Sequence, residues 1–351
     1  MMAIKDRKAD HIRICMNERV APGYCYWDDI RFVHNALPEI DYDDIDMSCT
    51  LFGRKLNAPI MVTAITGGFS GAKKINSNIA EACAELGLGM GIGSERAGVS
   101  GVAAESYSVV KEFDVPLMIG NIGAVQLIPQ KSGKMFTDEM IDEAVELIDA
   151  DVLAIHLNPL QEAVQPEGDM NFDGCYEAIR NIARRAPVMV KETGAGISKQ
   201  VADRLKGIGV QGLDISGMGG TSFSAVEFYR ALAEEDKIRS SIGDTFFDWG
   251  IPAPVSLAQC KDCGLPLIAS GGILDGIHVA ASISMGATAA GVANVILKEA
   301  SESADAVKEK LTIIMEELKT AMLLTGSKDL KQLSKAQHVV LGETKEWMDQ
   351  L

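Results

Sequence analysis

Eight short apolar runs, each followed by a glycine- or asparagine-rich break and most of them by a helical stretch, predict an α/β protein built as a (β/α)8 TIM barrel. The runs are near-continuously apolar, as strands buried on both faces of a parallel sheet should be. They extend from residue 59 to residue 296, close to the length of about 250 residues that such barrels need. A doubly wound open sheet is the alternative, but no G-x-G-x-x-G motif opens its first unit.

The individual elements are assigned from aliphatic runs and from helical periodicity, bounded by glycine, proline or polar residues. In chain order the predicted strands cover 59–65, 88–93, 116–121, 152–157, 187–192, 212–216, 266–270 and 289–296. The helical segments between them are 73–86, 138–149, 174–185, 198–207, 275–285 and 301–323. The longest interruption follows the sixth strand, at about 218–255, and a loop of that length often closes over a site.

The residues before the first strand form an N-terminal extension. We divide the chain into residues 1–57, which cover one end of the barrel, and residues 58–351, which form the barrel, within a single domain overall. The start of the extension is expected to be a basic helix, with Arg7, Lys8 and His11 opposite its apolar stripe. Such a cluster is either a solvated helix face, the commoner case, or a clamp for phosphate.

Composition narrows the function classes. The 351-residue chain is 47% hydrophobic with 34 glycines and 5% aromatic residues, which suits an aliphatic α/β core. Its formal net charge of −16 argues against a nucleic-acid or anionic-membrane partner, so an anionic substrate would need a local basic cluster. The seven cysteines, with one C-x-x-C at 260–263, predict reduced thiols rather than a disulfide framework or a four-ligand zinc site. With a charged start and no run of transmembrane length, the protein is expected to be cytoplasmic.

Chemistry is expected where the fourth predicted strand ends, because the loops after the strands of a parallel barrel carry its functional residues. There the apolar strand meets His156, Asn158, Gln161 and Glu162, which supply an imidazole, two amides and a carboxylate. Asn158 precedes a proline, so its backbone favours an extended conformation that breaks any helix. The alternative is a polar cap at a strand end with no chemical role.

Three later breaks are typical of a phosphate site. Glycine-rich stretches at 216–222 and 270–272 follow the sixth and seventh strands, and small residues at 293–294 follow the start of the eighth. In barrel enzymes this region holds phosphate with backbone N–H groups and a helix N-terminus. Lys191 ends the fifth strand, where a lysine either faces an anion or an electron-rich ring or else reaches solvent.

Several of these segments together carry a family resemblance. They are RKADH at 7–11, APIMVTAITGG at 58–68, GIGSERA at 91–97, HLNPLQE at 156–162, VKETGAGIS at 190–198, DISGMGGTS at 214–222 and ASGGI at 269–273. Over nearly its whole length the chain closely resembles type 2 isopentenyl-diphosphate isomerase, the FMN-dependent form. HLNPLQE combined with RKxxH is highly specific, whereas ASGGI alone fits many flavin barrels. One departure is Glu95, where the family often has glutamine.

The resemblance implies interconversion of isopentenyl and dimethylallyl diphosphate with reduced FMN, Mg²⁺ and NAD(P)H or another reductant, in a homotetramer or homo-octamer. It implies that the substrate is bound by Arg7, Lys8, His11, Ser94, Arg96 and Gln161. It implies that FMN is bound by Thr63, Ala64, Ile65, Thr66, Ser94, Asn121, Lys191, Ser216, Thr221, Gly271, Gly272, Ile273, Ala293 and Asn294. The catalytic residues would be Gln161, His156, Asn158 and Lys191, and Glu162 would hold Mg²⁺ that bridges to the diphosphate.

The reaction itself agrees with this residue inventory. Moving the double bond requires protonation of an unactivated alkene and passes through a tertiary carbocation-like transition state, so it needs a strong acid in a dry site. Asn158 and Gln161 are poor acids, and the strand ends offer no pair of carboxylates. Our hypothesis is that reduced flavin relays the proton, through its N5 region, while Lys191 favours the anionic ring and His156 orients the site.

Two other functions compete with this hypothesis. A flavin-dependent oxidoreductase on the same barrel, such as a 2-hydroxy acid oxidase, needs a catalytic histidine and an arginine at the late strands. After the seventh strand the sequence has no arginine, and His278 lies in the following predicted helix. A non-catalytic protein that binds diphosphate or flavin is the third hypothesis, which the full set of polar residues at the strand ends disfavours.

Overall fold

Eight parallel strands close into a barrel in the computed structural model, which describes residues 4–131 and 135–351, and only the backbone of residues 4–6. In chain order the strands are β1 Ile30–Phe32, β2 Cys49–Leu51, β3 Arg54–Leu56, β4 Ile60–Val62, β5 Gly89–Gly91, β6 Leu117–Gly123, β7 Val152–Leu157, β8 Val188–Glu192, β9 Leu213–Asp214, β10 Leu267–Ala269, β11 Ala289–Val292 and β12 His338–Val340. The barrel runs from β4 to β11 in sequence order and closes where Ala290 of β11 pairs with Ile60 of β4. The predicted (β/α)8 barrel and its eight strands are therefore confirmed.

Helices between the barrel strands form the outer layer, as the sequence predicts, and further helices precede and follow the barrel. They are α1 Ile4–Asn17, α2 Ala72–Leu86, α3 Arg96–Val99, α4 Glu105–Ser108, α5 Asp138–Ile148, α6 Pro159–Val164, α7 Cys175–Ala183, α8 Lys199–Gly207, α9 Phe223–Ala233, α10 Lys237–Thr245, α11 Ala253–Cys260, α12 Gly276–Ser284, α13 Leu297–Glu302, α14 Ala304–Thr325, α15 Leu330–Leu333 and α16 Gly342–Gln350. The first three residues of the expected N-terminal helix lie outside the described residues.

Several elements differ from their predicted bounds, and two of them do so for identifiable local reasons. The single helix predicted at 301–323 is two helices, because Ser303 is extended, ends α13 and caps α14 by accepting a hydrogen bond from the backbone N–H of Ala306. The sixth predicted strand, at 212–216, shortens to two residues, since Ser216 adopts a left-handed backbone with φ of 48°.

The residues before the barrel reach both of its ends. The β2–β3 hairpin covers the end where the strands begin, and Leu51 and Leu56 pack there with interior residues such as Met61 and Ile268. At the opposite end, α1 packs through Ile14 against Ala225 and Val226 of α9. One element of the extension therefore seals the barrel interior, and another stands beside the carboxyl ends of the strands.

A strand of the N-terminal extension also pairs with a strand that follows the barrel. β1 and β12 form a two-stranded antiparallel sheet in which Ile30 faces Val340. Asp29 strengthens this junction, because its carbonyl accepts a hydrogen bond from Leu341 N–H at 2.9 Å and its carboxylate accepts one from Thr344 N–H at 3.0 Å. The C-terminal residues thus hold the N-terminal extension against the barrel.

Of the helices that the structure describes, not one combines the length and the apolar character that a membrane crossing requires.

Candidate active site

A cavity of about 200 Å³ lies at the carboxyl ends of the barrel strands, between those ends and α1. The breaks after the strands supply polar groups to it, and α1 supplies positive charge. The predicted site residues that line it are Arg7, Lys8, His11, Ala64, Ile65, Thr66, Ser94, Arg96, Asn121, His156, Asn158, Gln161, Glu162, Lys191, Thr221, Ala293 and Asn294. Residues that are far apart in sequence therefore meet in one cavity.

Five of the predicted cofactor residues do not line this cavity. Thr63 faces a second cavity of about 20 Å³ inside the barrel, which Asn121 and Lys191 also line. The structure places the others, Ser216, Gly271, Gly272 and Ile273, outside the lining of both cavities.

The glycine-rich turns after β9 and β10 nevertheless pack against each other. A Cβ atom on Gly220 would lie 2.7 Å from the backbone nitrogen of Gly272, and one on Gly272 would lie 2.6 Å from the carbonyl oxygen of Gly219. Gly271 and Gly272 also have positive φ angles of 83° and 89°. Only glycine allows this close backbone contact in that conformation.

His156 is a neutral imidazole with one free acceptor. Its Nδ1 lies 2.9 Å from Oδ1 of Asn121, whose Nδ2 donates to the carbonyl of Ile92 at 3.0 Å. Oδ1 is thus the acceptor, so the ring proton is on Nδ1 and the lone pair is on Nε2. Burial, then the nearby charges of Lys191 and Lys8, lowers the pKa of His156 to about 3. His156 can therefore accept a hydrogen bond but cannot act as an imidazolium acid near neutral pH.

The turn after β7 holds a carboxylate in a polar cage. Asn158 Nδ2 donates to Glu162 Oε1 at 2.9 Å, while Glu162 Oε2 accepts from Gln165 Nε2 and from the backbone N–H of Asp169. Burial raises the pKa of Glu162. Glu162 is the single carboxylate among the described residues that line the cavity.

This cage has unused oxygen lone pairs. Glu162 Oε1 accepts one side-chain hydrogen bond, and the buried Oδ1 of Asn158 has no hydrogen-bond partner within the described part of the chain. Since hard divalent cations prefer carboxylate and amide oxygens, this set of donors fits Mg²⁺.

Lys8 is half-buried beside the turn after β5. Its Nζ donates to the carbonyl of Ser94 at 2.6 Å and to the hydroxyl of Tyr107 at 3.0 Å. Burial, reinforced by the charge of Arg7, lowers the pKa of Lys8 to about 7. Nearby, burial raises the pKa of Glu95 to about 8, although Oε2 of Glu95 accepts the N–H of Asn121. Oε1 of Glu95 has no hydrogen-bond partner among the described residues. The charge of this corner therefore changes within the range of physiological pH.

An ion-pair network that the sequence analysis missed holds α1 in place. His11 Nε2 lies 2.9 Å from Glu227 Oε1, and the other oxygen of Glu227 accepts from Arg230 Nη1 at 2.6 Å. Arg230 Nη2 reaches Glu167 at 3.1 Å, and Arg7 lies 3.6 Å from the same carboxylate. Although burial opposes it, His11 and Arg230 hold the pKa of Glu227 below its ordinary value.

The available sequence signal for this network was weak. Glu227 and Arg230 are spaced i, i+3 in the long interruption after the sixth strand, which is typical of a solvated helix face. Their burial follows only from the packing of α9 under α1.

Lys191, near the end of β8, lines both cavities. It pairs in register with His156 of β7 and with Asp214 of β9, so all three side chains lie on the inner face of the barrel. Its Nζ donates to the carbonyl of Glu192 at 2.8 Å. Asp214 is buried and accepts a hydrogen bond from Ser270. Lys191 thus brings a positive charge to the floor of the larger cavity.

The sequence of this chain is similar to a described protein family and to several named enzymes. A family model described as FMN-dependent dehydrogenase matches residues 160–340. Isopentenyl-diphosphate delta-isomerase of Thermoplasma volcanium is 45% identical over 99% of both chains. The protein of the same name from Archaeoglobus fulgidus is 44% identical over 99% of both, and that from Pyrococcus furiosus is 43% identical over 98% of this chain and 89% of its own.

Solved structures with a similar fold have low sequence identity to this chain. A lactate oxidase of Pediococcus acidilactici superposes with a TM-score of 0.64 at 16% identity, over 90% of this chain and 84% of its own. A flavocytochrome b2 variant superposes with a TM-score of 0.67 at 16% identity, over 92% of this chain and 81% of its own. At this level of identity the likeness shows the barrel fold alone.

Proposed function

The chain belongs to the isopentenyl-diphosphate delta-isomerase family of enzymes, in its FMN-dependent type 2 form, and we propose that it interconverts isopentenyl and dimethylallyl diphosphate in isoprenoid biosynthesis. The reaction is a 1,3-allylic proton shift that depends on FMN and Mg²⁺. One observation carries the proposal: a chain of net charge −16 gathers Arg7, Lys8, His11 and Arg96 around one side of a cavity in which Glu162 is the single carboxylate among the described lining residues.

The charged side of the cavity suits a diphosphate. Arg7 and Lys8 come from α1, and Arg96 comes from the turn after β5. Arg96 is held by Asp169 at 3.1 Å, and the backbone N–H of Asp169 also donates to Glu162. Glu162 would therefore hold Mg²⁺ near Arg96, where the ion would supply further positive charge for binding the diphosphate.

FMN fits the remaining part of the lining. Ala64, Ile65, Thr66, Ser94 and Asn121 come from strand ends on one side, and Thr221, Ala293 and Asn294 come from the late strands. The Gly271–Gly272 turn, which the resemblance assigns to FMN, lies outside the lining of this cavity. When bound in its reduced form, generated by NAD(P)H or another reductant, FMN would supply the acid/base group that the side chains lack.

The side chains of the cavity position the substrate and exclude water. His156, with its proton on Nδ1 and its pKa near 3, offers Nε2 as an acceptor only. Nδ2 of Asn158 donates a hydrogen bond to Oε1 of Gln161 at 3.2 Å. This contact would direct the amide of Gln161 beside the carbon skeleton of the substrate. Apolar side chains such as Ile12 and Leu297 line the same space and keep it dry around a cation-like transition state.

The same family membership leads us to propose a homotetramer or homo-octamer that works in the cytoplasm.

The test is proton NMR of isopentenyl diphosphate in D₂O with the purified protein, FMN and Mg²⁺, run anaerobically with and without dithionite. We expect dimethylallyl diphosphate to form with deuterium incorporation only after flavin reduction, and more slowly when Mg²⁺ is chelated. A protein that binds FMN and leaves the substrate unchanged would contradict the isomerase, and flavin reduction by a 2-hydroxy acid in that case would identify an oxidoreductase.

A further inference from the structure

A second cluster of metal-ligating side chains lies outside the lining of both cavities. Cys25 precedes the short 3-10 turn Tyr26–Asp29 of the N-terminal extension, and Asp28 lies within that turn. His278 lies in the first turn of α12. Their donor atoms Sγ, Oδ1 and Nε2 all lie within 4.8 Å of one another.

Two of the three separations are close to those of a tetrahedral metal site, and the third, between Sγ of Cys25 and Oδ1 of Asp28, is within 4.8 Å. Sγ of Cys25 is 4.0 Å from Nε2 of His278, and Oδ1 of Asp28 is 3.2 Å from the same nitrogen. Metal–ligand bonds of about 2.0–2.3 Å at tetrahedral angles place neighbouring donor atoms about 3.3–3.8 Å apart. Shifts of about 1 Å or less in the exposed Asp28 side chain and in Cys25 would bring all three ligands onto one ion.

The arrangement does not suit a reactive cysteine. A thiol activated by histidine needs the carboxylate on the other ring nitrogen. Here Asp28 and Cys25 face the same nitrogen, while Nδ1 accepts a hydrogen bond from the backbone N–H of Leu274 at 3.3 Å and lies 3.8 Å from the Asp275 carboxylate, which is too far for a hydrogen bond. Burial, followed by the charge of Asp28, also raises the pKa of the Cys25 thiol.

We propose that Cys25, Asp28 and His278 bind one divalent ion of the zinc class, with the fourth position open to solvent. A thiolate, an imidazole and a carboxylate together favour Zn²⁺ or Co²⁺ over Mg²⁺. Binding releases the thiol proton and moves the ring proton of His278 to Nδ1, which gives up the Leu274 bond and lies 3.8 Å from the carboxylate of Asp275.

The position of the cluster gives the ion a structural role. It would fasten the extension to α12, whose preceding turn contains Gly271 and Gly272. Trp27, inside the 3-10 turn, already donates from Nε1 to the carbonyl of Gly271 at 2.9 Å. An ion that binds the folded chain more tightly than the unfolded one would stabilise this junction by mass action.

The experiment is a titration of the FMN-loaded protein with Co²⁺ in excess Mg²⁺, followed as absorbance difference spectra. We expect one equivalent to bind with a thiolate-to-cobalt charge-transfer band. Cys25→Ser should remove the band and weaken binding by about 100-fold or more, and Asp28→Asn should weaken it by about tenfold. Cys49→Ser, which removes a half-buried thiol elsewhere, should match the unchanged protein.

Two results would overturn the proposal. One is a single equivalent of Co²⁺ that binds without a thiolate band, and the other is equal affinity in the Cys25→Ser protein. Circular dichroism and flavin content check that each variant is folded. An anomalous difference peak between the three side chains, in crystals grown with Zn²⁺, would locate the ion independently of the activity.

Discussion

The two sides of the cavity are built in different ways. On the barrel side, Asn121, His156 and Lys191 project from neighbouring strands whose registers are fixed by a closed parallel ladder. On the helix side, Arg7, Lys8 and His11 project from α1, which side-chain hydrogen bonds, ion pairs and a small apolar contact hold against the barrel.

Because the two sides are held by different contacts, the position of one side can change without changing the position of the other. A closed barrel gives its strand ends little freedom, whereas α1 can shift when a few ion pairs change. We therefore expect substitutions on the barrel side to act on kcat, and substitutions around α1 to act on the KM for the diphosphate substrate.

The largest effect should follow from Lys191→Ala. Removing this charge from the cavity floor takes away the group proposed to stabilise the anionic reduced ring, so kcat should fall by about 10²–10³-fold. The KM of the flavin-loaded enzyme should stay within about threefold, because α1 is untouched. Steady-state kinetics and flavin absorbance measure both effects, with Lys191→Arg as the variant that keeps the charge. A kcat within threefold of the unchanged enzyme would remove Lys191 from the catalytic group.

A smaller effect, on the other side, is expected from Glu227→Gln. The change leaves Arg230 buried with only Glu167 and Glu234 nearby and releases His11, so α1 should dock less firmly. We expect KM to rise by about 10–100-fold, which corresponds to about 1.4–2.8 kcal/mol, with little change in kcat. Glu234→Gln is the matched control, since Glu234 lies 3.8 Å from Arg230 and is exposed. A lower kcat with an unchanged KM would contradict the expectation that the α1 side acts on KM and the barrel side acts on kcat.

The third prediction concerns pH and Lys8→Arg. The pKa of Lys8 is about 7, so its charge is present below that pH and is lost above it. Diphosphate affinity should therefore fall roughly tenfold between pH 7 and pH 8.5, whereas an arginine stays charged and should flatten this dependence. The measurement is the KM, or the Kd of a diphosphate analogue, across that range.

Glu95 must be separated from this effect, because it also titrates in the same corner. Its pKa of about 8 means that it becomes negative as pH rises and repels the same ligand. Glu95→Gln should remove that part of the pH dependence and leave the Lys8 part. If Lys8→Arg keeps the full dependence while Glu95→Gln abolishes it, Glu95 is the group responsible.

The barrel could be predicted from the sequence because burial on both faces leaves a direct record of apolar runs. The residues at the strand ends could be predicted for the same reason: a polar group after an apolar run, such as His156 or Lys191, marks the edge of the sheet. The predicted site residues from Ala64 to Lys191, which lie at the strand ends, all line one cavity.

Contacts between distant elements could not be predicted. Nothing near His11 in the sequence indicates Glu227, and the pair forms only because the interruption after β9 folds into α9 beneath α1. Likewise, Ser216 and the 271–273 turn follow the right strands but bend away from the larger cavity, since backbone φ angles at these positions are set by tertiary packing.

The pairing of β1 with β12 has a consequence for synthesis on the ribosome. Residues 30–32 are made long before their sheet partner at 338–340, because the whole barrel lies between them in sequence. The hydrogen bonds that Asp29 accepts from Leu341 and Thr344 are also absent until then. Domains usually fold as units while the chain emerges N-terminus first. Here β1 emerges long before the strand that pairs with it, so this part of the extension is secured later than the barrel strands that lie between the two in sequence.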